Sequence, residues 1–172
     1  MAFIDIHGEY TKPVLQIVSM TKTNTSSTTL TQNDEDGVGL DATITPKSTS
    51  SRILILASIN FDTNRQNCAG GFRLRRGGES GTLIANADTA SNRYEVHSGF
   101  GANADMDQSN RHTTIHFLDH PNTTSSTNYV ILPTFNEGGG SMQFYLNRAQ
   151  QDPNQNDDGR FVSTVTLVEF GN

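Results

Sequence analysis

Apolar residues in this chain come in short runs, and most alternate with polar ones. Leu40, Ala42 and Ile44 interleave with Asp41, Thr43 and Thr45, a period of two that predicts a half-buried strand ended by Pro46. Val14-Leu15-Gln16-Ile17-Val18 begins an earlier strand. Residues 21–31 are too β-branched for a good helix and too polar for a strand buried on both faces, so a solvent-facing or edge segment fits. The run 52–61 is the most apolar in the chain. Its isoleucines at 53, 55 and 59 alternate and its flanks are Ser-rich, which predicts a central strand. Phe72 and Leu74 alternate with Arg73 and Arg75, and Gly77-Gly78 turns the chain toward Thr82-Leu83-Ile84. Residues 86–111 are polar and rich in Gly, Asn and Asp, and predict long loops. Ile115 and Phe117 point one way and His116 the other. Residues 129–132, then Met142, Phe144 and Leu146, then residues 161–170 complete the set, separated by Gly138-Gly139-Gly140 and by residues 153–159.

Nine or ten short strands with Gly, Asn and Ser turns, and no convincing helix, predict an all-β chain. The expected architecture is an antiparallel β-sandwich, jelly-roll-like. The chain has 172 residues, enough for one domain with a sizeable core. Residues 1–13 precede the first strand without a clear period and read as an N-terminal arm; residues 14–172 read as the sandwich.

Composition then narrows the function. Thr, Ser, Asn and Gln supply 60 of the residues, hydrophobic residues 33%, and charged residues only 17%, with Lys at 3 against Arg at 9. A surface of hydroxyls and amides keeps strand edges hydrogen-bonded without charge repulsion at a symmetry axis, which suits an oligomer. The net charge of −6 argues against a nucleic-acid binder, which needs a concentrated basic face. No apolar stretch approaches the ~20 residues of a membrane span. The lone Cys68 reads as a small buried hydrophobe rather than a nucleophile.

No motif carries catalysis. His112, His116 and His120 are four apart. On a strand that spacing is about 13 Å, so they cannot share one ion within a chain. A metal would need one histidine from each of three copies on a threefold axis; no resident metal or cofactor is expected. Asp34-Glu35-Asp36-Gly37 and the loop at 154–159 fail the calcium-loop pattern, because position 12 is Thr43 or Val165 rather than Glu. Both read as acidic turns. Gly78-Glu79-Ser80-Gly81 misses the nucleophile elbow at position 82, which is Thr. Arg73 and Arg75, on one strand face, read as offsetting part of the negative charge, with contact to an acidic partner as the alternative.

The same segments resemble, in order, a module of structural and fibre-type proteins of tailed phages, particularly cyanophages. The pieces are Val14-Leu15-Gln16-Ile17-Val18 with Lys22-Thr23-Asn24-Thr25, the stretch 44–54, Phe72-Arg73-Leu74-Arg75-Arg76-Gly77, the stretch 118–125, Asn147-Arg148 and the stretch 159–169. The resemblance covers most of residues 14–170. It implies a β-sandwich displayed on a virion as a homotrimer, and it brings no catalytic residues. The module is preceded here by no shaft, heptad run or repeat. That departure fits a small capsid decoration or cement protein that bridges neighbouring shell proteins. Phe3, Ile4, Ile6 and Tyr10 would anchor the arm to a neighbour or to the shell.

Two rivals remain. A tail-fibre tip or lectin-like module would grip host surface glycan with loop groups such as Tyr94, His97, Asn103, Asp105 and Asp107, although the chain has no Trp. A depolymerase would need paired carboxylates. Loop acids such as Asp105 with Asp107 are plentiful by composition alone, so no enzyme is expected.

Overall fold

The computed structural model describes residues 3–4, 10–11, 13–64, 69–88, 91, 93–101, 110–136, 140–152 and 159–171, with backbone alone at 3–4, 10–11 and 101. The strands are β1 (Phe3–Ile4), β2 (Tyr10–Thr11), β3 (Val14–Lys22), β4 (Ser26–Thr31), β5 (Asp41–Ile44), β6 (Arg52–Thr63), β7 (Ala69–Arg76), β8 (Thr82–Ile84), β9 (Ser98–Gly101), β10 (Arg111–Asp119), β11 (Thr127–Phe135), β12 (Ser141–Leu146) and β13 (Ser163–Phe170). No helix occurs among the described residues.

The pairing is nested and antiparallel. β3 pairs with β13, β4 with β12, β5 with β11, β6 with β10 and β7 with β9. The chain is thus one long hairpin with β8 near its tip. It is then rolled, so that β6 also meets β13 and β12, and β7 also meets β11. The first sheet runs β3-β13-β6-β12-β4, with β10 along the other edge of β6; the second runs β5-β11-β7-β8, with β9 also on β7. A rolled hairpin split into two antiparallel sheets is the jelly roll. β1 and β2 pair with each other and with no other strand among the described residues.

β6 is long enough to take two partners on one side, β13 along residues 52–58 and β12 along residues 61–63. Its odd positions, Ile53, Ile55, Ala57, Ile59 and Phe61, all point into the core. Val165 and Leu167 of β13 join them from the same sheet, and Phe72, Leu74, Tyr129 and Ile131 from the other. Phe61 meets Phe72 edge-on at 5.1 Å and stacks on Phe144 at 5.4 Å, ring geometries that add about 0.5–1.5 kcal/mol each beyond burial.

Two of the expected boundaries move. Residues 21–31 divide between the end of β3 and the whole of β4, and among the described residues β4 is an edge strand paired with β12 alone. The polar stretch 86–111 is not loop throughout: Ser98–Gly101 forms β9, because the glycines Gly70 and Gly71 on β7 let it lie close. A Cβ at Gly70 would come within 2.5 Å of the Phe100 ring.

One polar clamp ties the sheets. Asp119 of β10 accepts from the Tyr129 hydroxyl of β11 at 2.7 Å and from Arg76 of β7 at 2.9 and 3.0 Å. Tyr129 is fully buried. Burial first, and then its bond to the Asp119 carboxylate, push the phenol above the usual tyrosine range. Tyr129→Phe removes one bond to a charged acceptor and is expected to lower stability in urea unfolding by about 1.5–3 kcal/mol. A loss under about 0.5 kcal/mol, the range of ordinary surface changes, would show that the clamp does not hold the sheets.

Candidate interaction surface

The outer faces of the two sheets differ in kind. That of the second sheet is covered by the chain's own loops. Val130, Leu132 and Thr134 of β11 point away from the core side yet are buried. A Cβ at Gly71 would meet Val96 and the carbonyl of Ser98 at 2.7 Å, so the 93–98 segment lies directly on the strand. Glu35 pins a second loop there. Its carboxylate accepts from Arg73 at 2.6 Å and from Arg75 at 2.6 and 3.0 Å. Burial opposes the Glu35 charge, but the bonds and charges of Arg75 and Arg73 outweigh it and hold the carboxyl below the usual range. Asp34 caps the amide of Thr31 at 2.8 Å, and Asp36 bonds the hydroxyl of Thr28. The acidic turn is therefore spent on internal contacts, and Arg73 and Arg75 hold an acid of their own chain.

Among the described residues no loop covers the outer face of the first sheet. Register sets its side chains in rows across four strands, β10, β6, β13 and β3. One row is Thr114, Ser58, Thr164 and Thr21. The next is His116, Leu56, Thr166 and Ser19. The third is Leu118, Leu54, Val168 and Ile17, entirely apolar. Ile17 is 62% exposed, Leu118 46% and Leu56 39%. No acid, lysine or arginine stands in these three rows. Neighbouring strands lie about 4.8 Å apart, so the apolar row is a continuous stripe from edge to edge.

Beside it lies a shallow depression of about 400 Å³ over Leu56, Ser58, Thr114, His116, Thr164 and Thr166. The Ser58 hydroxyl and His112 Nε2 are 2.9 Å apart. That pair has the contact of a nucleophile and its base, but a working pair also needs a group to orient the base and donors for an oxyanion. Among the described residues no carboxylate bonds His112, and its strand β10 is laddered to β6 along one edge. His112 and His116 lie on the strand β10 and point outward, as the strand reading requires. Among the described residues no cluster of His, Cys, Asp or Glu could hold a metal ion.

The structure describes some of the residues expected to bind. Phe3, Ile4 and Tyr10 fall in the β1–β2 hairpin, while Ile6 lies outside the described residues. Tyr94 sits under Arg73, 5.2 Å from ring to guanidinium, with its hydroxyl on Thr134. His97 bonds the carbonyl of Ala85 at 3.0 Å and meets Phe117 edge-on. Both are half-buried and hold the loop cover in place. Asn103, Asp105 and Asp107, like Cys68 and residues 153–158, lie outside the described residues. The stripe was missed, although a signal existed: the run 52–61 is apolar at 54 and 56 as well as at the odd positions, more than a strand with one wet face needs.

Among solved structures, the chain is similar to two of infectious bursal disease virus. The Gx strain structure matches at 13% identity and TM-score 0.45, over 94% of this chain and 43% of that one. The Gt strain structure matches at 13% identity and TM-score 0.47, over 94% and 39%. The chain spans less than half the length of either. No family model matches, and no curated protein matches. The jelly-roll assignment rests on the strand order itself.

Glu35→Gln is expected to cost about 1–3 kcal/mol at pH 7, since it weakens charged hydrogen bonds that are only partly exposed. The folded carboxyl lies below its ordinary value of 4.5. Its contribution is therefore complete above about pH 4.5 and is lost as pH falls through the lower folded value. Urea unfolding at pH 7 and at acid pH checks this: the variant loses less stability on acidification than the parent chain. Equal losses contradict the assignment.

Proposed function

We propose that this protein is a non-enzymatic structural component of a virus particle, a capsid decoration or cement protein displayed on the virion surface as a homotrimer. One observation carries the reading. The chain covers one outer sheet face with its own loops and leaves the other bare, with an apolar stripe crossing four strands. Exposed apolar surface of that continuity marks a contact with another macromolecule. The jelly roll is a fold of viral capsid and lectin domains, and the ordered resemblance to tailed-phage virion modules favours the first of these. The work is mechanical: contacts that are weak one by one, repeated by symmetry, bridge neighbouring shell proteins. The arm, with Phe3, Ile4, Ile6 and Tyr10, provides the anchor.

The rival reading is a tail-fibre tip that binds host surface glycan. It drew on loop residues, of which Tyr94 and His97 are engaged internally. A glycan pull-down with the purified chain separates the two readings, and retention on host glycan would favour the tip.

Light scattering after size exclusion is expected to give three times the 18.8 kDa chain, and a monomer at micromolar concentration would count against cement and fibre alike. The purified protein should also rebind particles stripped of it and raise their resistance to heat. Deleting residues 2–12 is expected to abolish attachment while leaving the sandwich folded. Unchanged attachment would remove the anchoring role of the arm.

A further inference from the structure

We infer that the open face of the first sheet is where copies of this chain meet, with the stripe of Leu118, Leu54, Val168 and Ile17 turned toward a threefold axis. The inference rests on the trimer of the proposed function and names the face that builds it.

Three observations select a second copy as the occupant. The first is charge. The chain carries 18 acidic and 12 basic residues, yet the three outward rows hold no carboxylate, lysine or arginine. A foreign partner can be met by complementary charge. A copy of the same face around an axis cannot, because a charge near the axis confronts its own sign. Self-contact therefore requires that the rows nearest the axis be free of formal charge. The three rows meet that requirement, and Arg52, exposed on the same side of β6 one row beyond the stripe, borders them.

The second is area. Four strands at about 4.8 Å spacing and five residues at about 3.3 Å rise give a face of roughly 19 by 17 Å. Pressed on one flat partner it would bury roughly 650 Å² counting both sides, below the ~1,000 Å² of a specific interface. Around a threefold axis each copy is held by two neighbours at once, and the closed ring adds their contacts.

The third is continuity. The stripe reaches both edges, through Leu118 on β10 and Ile17 on β3, and these are its two most exposed members. Three sheets facing one axis bury both edges of each. In the row beside the stripe Ser19 and Thr166 are already paired within the chain at 2.9 Å, so these two hydroxyls can approach another copy without losing a partner.

The test uses the full chain and three substitutions on exposed positions. Leu118→Asp and Ile17→Asp place a charge at either edge of the stripe, and Thr82→Asp on the second sheet serves as control. Native mass by light scattering is expected to be three chains for the parent and the control. It is expected to fall to one chain for both stripe variants, with unchanged circular dichroism. Leu118→Gln, which keeps the volume, guards against misfolding and should weaken assembly at least tenfold on dilution. A parent trimer that persists in the stripe variants overturns the face and leaves the trimer standing. A parent that is itself monomeric overturns the trimer, and the inference with it.

Discussion

The structure depends on β6. It is hydrogen-bonded along both edges, to β10 on one side and to β13 and β12 on the other, so its backbone groups are satisfied without water. That pairing leaves the side chains to decide the rest. Its odd positions build the core against the second sheet. Its even positions, Leu54, Leu56 and Ser58, build the centre of the open face. One strand therefore sets both what holds the domain together and what it presents outward.

The two sheets have been finished differently. The second is closed by its own chain: Gly71 admits the 93–98 segment, and Glu35 reaches back across the sheet to Arg73 and Arg75. At the inner boundary, Asp119, Arg76 and Tyr129 join strands of both sheets. A second acid, Glu169, is fully buried at the end of β13 and takes the amide of Lys47 at 2.6 Å. Burial opposes its charge, yet the side chains of Ser51 and Gln16 and the amide and charge of Lys47 keep its carboxyl below the usual range. Charge in this protein is drawn to the loops and to the sheet boundary. The three rows of the open face are left with hydroxyls, histidine and aliphatic carbon, with Arg52 at their border.

Much of the fold was legible in the sequence. Alternation located β5, β6, β7 and β10, because a period of two is written locally. The jelly roll followed from the number of strands and the absence of a helix. The boundaries that moved were set by distant partners: β9 exists because Gly70 and Gly71, some thirty residues earlier in the chain, allow close approach. The site was less legible. Glu35 and the arginines it binds are nearly forty residues apart, and nothing local joins them. Tyr94 looked available in a polar loop, but Arg73 and Thr134 hold it. Asn147, buried with a positive φ of 60°, spends its amide on the carbonyls of Lys22 and Asn24; its neighbours in sequence gave no sign of that. The stripe draws one residue from each of four strands, and only register brings them into line.

The central claim is that the bare sheet face is covered by other copies in the assembled protein. Histidine carbethoxylation read by mass spectrometry tests it on the unmodified chain, since His116 stands in the row beside the stripe. The account predicts that His116 reacts slowly at concentrations where the protein is assembled and faster once dilution disperses it, while His97 keeps one rate throughout. Equal reactivity of His116 in assembled and dispersed protein would contradict it.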